Sequence, residues 1–148
     1  MGHKMSPDEI RAFIGEGTRT AHLAIVRPDG RPHVSAIWVI RDGEDIVFTT
    51  RGASVKGRNL ARTGFAALSV DDPHPPYSYV ALEGPVTIID DPTELRRWAE
   101  IIGGRYMGAD RAAEIGKLNA IPGEVVCRLR PSHMTGQLAV TDVSETLS

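Results

Sequence analysis

The stretch FTTRGASVKGRNL, residues 48–60, begins with the pattern of a strand and ends with the pattern of a helix. Gly52 allows a turn with positive φ after the strand, and Ser54 is a preferred N-cap for a helix that runs to about Thr63. Lys56 then lies in the first helical turn, where the partial positive charge of the helix dipole mildly disfavours a cation. A bound anion would reverse that cost, so the junction is a candidate anion site.

Other side chains near this junction could also bind an anion. Thr49 and Thr50 offer hydroxyl groups at the end of the strand, and Ser54 and the helix N-terminus offer further donors beside Lys56. The chain has no Walker motif and no Gly-x-Gly-x-x-Gly motif, so the pattern indicates a phosphate group without specifying a nucleotide. The alternative is a surface loop that leads into an exposed basic helix face.

Length and composition restrict the possible functions. The 148 residues predict a single domain, 1–148, too short for separate cofactor and substrate domains. A net charge of -2 without a lysine-rich run argues against nucleic-acid binding. All apolar runs are shorter than the ~20 residues that a membrane span needs, and the single Cys127 excludes an internal disulfide.

The N-terminal sequence shows no secretory signal, so the expected compartment is the cytoplasm. The chain begins MGHKM, and residues 1–4 are candidates for a scar left by cloning, with Met5 as the native start.

Turn residues divide the chain into strands and a few helices. Six segments have the pattern of strands, and the first two form a hairpin around PDGR: AHLAIVR (21–27), PHVSAIWVI (32–40), DIVFTT (45–50), GFAALSV (64–70), YSYVALEGPVTIID (77–90) and, last, GEVVCRLR (123–130). Because the strands outnumber what the helices could cover, we expect an antiparallel sheet closed into a small barrel. An open α+β sheet is the alternative.

Two capping signals predict helices beside the sheet. In SPDE, Ser6 is the N-cap and Glu9 closes a capping box; DPTE repeats the pattern with Asp91 and Glu94. The second helix carries an apolar stripe of Leu95, Trp98, Ala99 and Ile102. A weaker helix is predicted at about 109–119.

Metal-dependent and hydrolytic functions are not indicated. The five histidines share no metal-ligand spacing with one another or with Cys127. No Gly-x-Ser-x-Gly motif is present, and no His and carboxylate stand in a recognisable arrangement around a serine.

The order of DGRPHVSAIWV, FTT…SVKGRNL, ALSVDD, YSYVALEG and RLRPSHMTGQ resembles the pyridoxamine 5'-phosphate oxidase-like split-barrel superfamily, and more narrowly its actinobacterial reductases that depend on the deazaflavin F420. The resemblance covers nearly the whole chain, and the Lys56-x-x-Asn59-Leu60 segment is its most specific part. It implies a mainly β fold, a split β-barrel with flanking helices, and a homodimer with two cofactor clefts at its interface.

The resemblance also implies roles for single residues. Lys56 matches the phosphate-binding lysine of the family, with Ser54 and Asn59 beside it and Thr49 and Thr50 on the approaching strand. The residues matched to the strand along the ring are His33, Ser35 and Ala36. Tyr77 and Tyr79 match aromatic positions that reach the cleft from the partner subunit. Some deazaflavin enzymes carry an arginine where this chain has Ser54, so the anchor for the phosphate and its tail would be weaker or would come from Arg51 or Arg58.

The Arg-x-His substrate motif of the true pyridoxamine phosphate oxidases is not found near the C-terminus, which favours a reductase. We therefore expect an F420-dependent oxidoreductase that transfers a hydride to a small organic substrate, with Tyr79, Tyr106 and His133 as candidate proton donors. Two alternatives stay open: an FMN-binding oxidoreductase, or a non-catalytic protein that binds a flavin, a deazaflavin or haem.

Overall fold

The structure is a computed structural model and describes residues 1–142. The single domain predicted for 1–148 thus includes a segment, 143–148, outside the described residues. The strands are β1 (His3–Lys4), β2 (Ala21–Val26), β3 (Pro32–Ile37), β4 (Ile40–Asp42), β5 (Asp45–Arg51), β6 (Phe65–Asp72), β7 (Ser78–Ile89), β8 (Glu124–Leu129) and β9 (His133–Leu138). The helices are α1 (Pro7–Gly15), α2 (Val55–Thr63), α3 (Pro92–Met107) and α4 (Ala112–Asn119), with a 3-10 turn at Ala109–Arg111.

The strands form one curled antiparallel sheet in the order β3-β2-β6-β7-β8-β5-β4, with β9 on β7 and β1 on β9. The 12-residue β7 is shared between two halves of the sheet: its first part pairs with β6 and β9, and Val86–Ile89 pair with β8. The strands at the two ends of the order, β3 and β4, are consecutive in the chain and are joined by Trp38 and Val39. The predicted mainly β split barrel with flanking helices is confirmed.

The core lies inside the curled sheet. Phe48 of β5, Leu23 of β2 and Val80 of β7 are fully buried there, and α1 adds Ile10 and Phe13 to the same cluster. On the other side of β5 and β8, the predicted stripe of α3 packs Leu95 and Trp98 against Val47 and Val126. The alternation along β5 and β8 thus supplies both clusters, which fixes the sheet between the barrel interior and α3.

The capping signals determine where α1 and α3 begin. Ser6 and Glu9 form the predicted capping box. The Asp91 carboxylate accepts from the N–H groups of Thr93 and Glu94, but the Glu94 side chain accepts from the Trp98 indole instead of returning to the cap.

Three sequence predictions need correction. The segment 32–40 is not one strand, because the N–H of Val39 donates to the Tyr106 hydroxyl and its carbonyl accepts from Arg105. These bonds replace a strand partner and let the chain cross from one half of the sheet to the other. GEVVCRLR is not the last strand, since the polar segment β9 follows it and pairs with β7.

Gly52 does not adopt the positive φ predicted for it; its N–H closes the junction by donating to Gly123. The residue that must be glycine here is Gly57, because a Cβ at that position would overlap the carbonyl oxygens of Arg51 and Gly52. No helix within residues 1–142 is long and apolar enough to span a bilayer.

Candidate functional site

The junction of β5 and α2 is held in a fixed geometry by Ser54. Its hydroxyl accepts from the N–H of Gly57 at 3.0 Å and donates to the carbonyl of Arg51 at 2.7 Å. The N–H groups of Val55 and Lys56, in the first turn of α2, have no hydrogen-bond partner within residues 1–142. The start of α2 therefore offers two backbone donors, while the Ser54 hydroxyl is already used by the cap.

Lys56 adds a cation at the same place. Its side chain is half-buried and makes no hydrogen bond or ion pair with any other described residue. Burial lowers the pKa of Lys56, and the neighbouring Cys127 and Glu124 oppose this shift only in part. A half-buried charge without a counterion is unfavourable, and a bound anion would compensate it.

Six of the eleven predicted site residues line one cleft of about 570 Å³ between β3, β5 and α2, which we call the anion cleft: His33, Ser35, Thr49, Thr50, Ser54 and Lys56. Two of its polar atoms, Nδ1 of His33 and Oγ of Ser35, are buried and have no hydrogen-bond partner among the described residues. Such groups are costly unless a ligand or water satisfies them. The cleft thus combines a free cation, free backbone donors and unsatisfied polar atoms.

A second cleft of about 300 Å³, the helix-side cleft, adjoins the anion cleft at Thr49, Lys56 and Glu124. It contains the predicted residue Ala36 and also Trp38, and the side chains that close it come from α3, α4 and the loop after α4. The Trp38 ring is stacked on Tyr106, with ring centroids 4.8 Å apart and planes 4° from parallel. The stack holds the Trp38 side chain, which contributes an aromatic group to the lining of the helix-side cleft.

A third cleft of about 510 Å³, the basic cleft, joins the anion cleft at Val55 and contains the predicted residues Arg58 and Asn59 together with Arg27. Asn59 is buried; its amide donates to Val55 and its carbonyl accepts from Arg62. Arg58 is exposed and has no partner within residues 1–142. Of the two, Arg58 has the side chain that is free to meet a ligand.

The two predicted tyrosines lie apart from these clefts. Tyr77 and Tyr79 are 43% and 47% exposed, in the loop after β6 and on β7. Tyr77 has a φ of 57°, held by a bond from its N–H to His74 and one from Val140 to its carbonyl. Neither lines any of the three clefts of its own chain. That they reach the cleft of a partner subunit stays a prediction.

The sequence pattern does not single out Glu124, which lines both the anion cleft and the helix-side cleft. It begins β8 opposite Arg51, and the available signal is a carboxylate directly before the apolar run Val125–Cys127. Two of the predicted proton donors lie outside the three clefts. The Tyr106 hydroxyl donates to Arg19 and accepts from Val39. His133 is exposed and lies opposite Glu83 in the pairing of β7 and β9.

Residues 6–137 match the model of the pyridoxamine 5'-phosphate oxidase family. Among solved structures, an F420 reductase is 33% identical with a TM-score of 0.69, covering 87% of this chain and 98% of that one. Two others share the fold at lower identity: a conserved hypothetical protein from Mycobacterium tuberculosis (24%, TM-score 0.78, covering 97% and 95%) and a FAD-binding protein from Mesorhizobium loti (16%, TM-score 0.69, covering 93% and 97%). No match was found among the curated proteins.

The family match covers β2 to β8 and most of β9, including the β5–α2 junction and the strand that carries His33 and Ser35. With the split-barrel topology and the identity to the F420 reductase, it shows that this chain belongs to the pyridoxamine 5'-phosphate oxidase family and resembles its F420-dependent reductases.

Proposed function

We propose that the protein is an oxidoreductase that binds F420 and reduces a small organic substrate. The observation that carries the proposal is the anion cleft, where uncompensated Lys56 stands with the unsatisfied Nδ1 of His33 and Oγ of Ser35. These groups fit a ligand with a phosphate at one end and a polar ring at the other. The 33% identity to an F420 reductase favours F420 among such ligands.

Different residues of the anion cleft would bind different parts of the cofactor. Lys56 and the N–H groups of Val55 and Lys56 would bind the phosphate, because they combine charge with helix N-terminal donors. His33 and Ser35 would donate to or accept from the ring along β3, whose next residue, Ala36, lines the adjoining helix-side cleft. When bound, reduced F420 supplies a hydride to an electrophilic carbon.

The basic cleft supports F420 over FMN. F420 carries an anionic oligoglutamate tail beyond its phosphate, and Arg58 and Arg27 lie in a cleft that joins the phosphate end at Val55. Arg62 contributes less than its charge suggests, since its guanidinium is bound to Asn59 and to the carbonyl of Val26.

We also propose a homodimer. Val26, Val34, Phe65 and Tyr79 are 44–64% exposed and lie on one face of the neighbouring strands β3, β2, β6 and β7. The same face also carries the exposed Asp71 and Glu83, and its exposed apolar side chains suit contact with a second copy of the chain. Tyr79 belongs to this face and Tyr77 lies just before β7, so the dimer would bring both near a partner's cleft.

The test is titration of the purified protein with F420 and with FMN, followed by a turnover assay with reduced F420 and a panel of electron-poor substrates. We expect tighter binding of F420 than of FMN and oxidation of reduced F420 only in the presence of substrate. Sedimentation at micromolar concentration should give a dimer. A mixed dimer with Tyr77→Ala in one chain should lose cofactor at one cleft only, and a monomer with full cofactor affinity would refute the dimer.

The second candidate is an FMN-binding oxidoreductase or a non-catalytic binding protein. It is supported by the anion cleft itself, because the phosphate of FMN would meet the same groups as that of F420. Fold neighbours include a FAD-binding protein and a haem storage protein from Vibrio cholerae. Tighter binding of FMN at every salt concentration, with no turnover of reduced F420, would favour this candidate.

A further inference from the structure

Glu124 occupies the boundary between the anion cleft and the helix-side cleft. It is the first residue of β8, and its backbone N–H donates to Ile121. Its carboxylate makes no hydrogen bond or ion pair with any residue in 1–142. Within the described chain, the carboxylate is therefore open to a ligand in either cleft.

The carboxylate of Glu124 is poorly compensated. Burial raises its pKa, and the attraction of Arg51 and Lys56 opposes the shift only in part. Arg51 is exposed to solvent, so Lys56 is the half-buried cation near it. A phosphate bound in the anion cleft would engage Lys56 and leave the carboxylate with less compensation still.

The helix-side cleft suits a small, flat molecule. Its volume of about 300 Å³ is at the lower end of the range for small-molecule pockets, which extends to about 1,000 Å³. Trp38 contributes an aromatic side chain to the lining, and Ile102, Leu118 and Ile121 add apolar side chains from the helical layer and the loop after it. Asn119 and Thr49 add uncharged polar groups. The two charged residues of the lining are Lys56, which is assigned to the phosphate of the cofactor, and Glu124, which is the acidic residue.

We propose that the helix-side cleft is the substrate pocket and that Glu124 determines its specificity, selecting a flat molecule that carries a cationic or N–H donor group and rejecting carboxylates. The inference rests on the proposed function, because it assigns the neighbouring anion cleft to the cofactor. Charge-assisted bonds to a poorly solvated carboxylate are strong, whereas a second carboxylate beside Glu124 is repelled. The substrate class is thus an amine, amidine or similar N–H-bearing ring compound.

The test uses benzamidinium, benzamide and benzoate, which share a ring and differ in charge, with protein loaded with F420 or FMN. Binding is followed by the indole N–H resonances in ¹⁵N NMR spectra. Trp38 reports on the pocket, and Trp98, whose indole donates to Glu94 at 3.0 Å, is the internal reference. We expect benzamidinium to bind at least about tenfold more tightly than benzoate, with benzamide between them.

Glu124→Gln should reduce that ratio to about twofold or less, since it keeps the shape and removes the charge. Glu44→Gln, which removes a carboxylate from the exposed β4–β5 turn, is the matched control and should keep the ratio. An equal ratio in the Glu124→Gln and wild-type proteins would overturn the inference. So would the absence of any shift of Trp38 with benzamidinium up to millimolar concentration.

A pH titration of the wild-type protein gives a second measurement that needs no variant. Glu124 attracts a cation only when ionised, so benzamidinium affinity should fall as the pH drops through its raised pKa. The other titratable or charged groups that line the anion cleft beside Glu124 are His33, Arg51 and Lys56, and the nearby Cys127 thiol has a pKa raised by burial to about 12. The pH profile of Glu124→Gln separates the contribution of Glu124 from theirs.

Cofactor binding distinguishes the two proposals. Glu124→Gln removes a negative charge beside the phosphate site, so it should bind F420 or FMN at least as tightly as the wild-type protein. If the cofactor binds and the probes show no charge selectivity, the substrate inference fails while the proposed function stands. If no cofactor binds, the proposed function fails first.

Discussion

Two helix ends, the C-terminus of α3 and the N-terminus of α2, differ in whether their polar groups have hydrogen-bond partners. At the end of α3, the Arg105 guanidinium donates to the carbonyls of Ile14, Gly17 and Val39 at 2.6–3.1 Å, and the Tyr106 hydroxyl both donates and accepts. At the start of α2, the Lys56 ammonium has no partner in residues 1–142, and buried atoms of His33 and Ser35 nearby are also unsatisfied.

The Arg105 side chain thus stabilises the fold, whereas the polar groups of the anion cleft are the ones that we propose bind a ligand. Arg105 of α3 donates to carbonyls of α1 and of the β3–β4 link. All partners of these hydrogen bonds belong to the chain itself, so no other molecule is needed. The polar groups of the anion cleft cost free energy in the protein alone and recover it only on binding. Substitutions in the two regions should therefore change different quantities.

Arg105→Ala should have the largest effect. It leaves the carbonyls of Ile14, Gly17 and Val39 without their donor, two of them in partly buried bonds, and should lower the free energy of unfolding by about 3 kcal/mol. Urea unfolding followed by circular dichroism measures this loss. Arg58→Ala, which removes an exposed arginine without a partner, is the control and should change stability by less than about 0.5 kcal/mol. Equal losses in both variants would contradict the assignment of Arg105 to the fold.

Lys56→Ala should lower the affinity for the cofactor rather than the stability of the fold. It should weaken the binding of F420 and of FMN by about 1.5–3 kcal/mol, roughly 10- to 100-fold, because a charge-assisted contact to the phosphate is lost. The protein without cofactor should keep or gain stability, since an uncompensated half-buried charge is removed. Lys117→Ala on the exposed face of α4 is the control. Unchanged dissociation constants for both cofactors would remove the phosphate from the start of α2.

Ser35→Ala tests the unsatisfied hydroxyl directly. The protein without cofactor should gain about 0.5–1 kcal/mol of stability, because a buried hydroxyl without a partner is deleted, while cofactor affinity should fall by about 1 kcal/mol. The matched variant is Ser78→Ala, whose hydroxyl accepts from the N–H of Ala139 at 2.9 Å and whose loss should lower stability instead. The same sign of stability change in both variants would mean that the Ser35 hydroxyl has a partner in the folded chain.

The smallest effect is expected at the basic cleft. Arg58→Ala should weaken F420 by about 0.5–1 kcal/mol and FMN by less, because an exposed contact to the anionic tail is screened over about 10 Å at 0.1 M salt. For the same reason the affinity for F420 should fall more steeply with added salt. Arg62→Ala should instead lower stability, since that guanidinium holds Asn59 and Val26. Equal salt slopes for the two cofactors would favour FMN.

The sequence was most informative where a local rule decides the structure. The capping box of Ser6 and Glu9, the N-cap at Ser54 and the apolar stripe of α3 depend on neighbours a few residues away, and they were predicted correctly. The predictions went wrong where a distant residue takes over. The break after Ile37 depends on Arg105 and Tyr106, and β9, a polar strand with weak alternation, depends on the edge that β7 offers.

By itself, the sequence determined the class of the molecule and the start of its site. Turn residues and alternating strands predicted a β-sheet closed into a barrel, and the Ser54 N-cap with Lys56 in the first turn of the helix predicted a candidate anion site, because short-range backbone geometry governs both patterns. Only the tertiary structure decided which polar groups remain without partners. Contacts between segments that are far apart in the chain decide whether the Arg62 guanidinium is bound and whether the Ser35 hydroxyl has a hydrogen-bond partner. They also place Glu124 at the border of two clefts. Burial depends in the same way on how the whole chain packs.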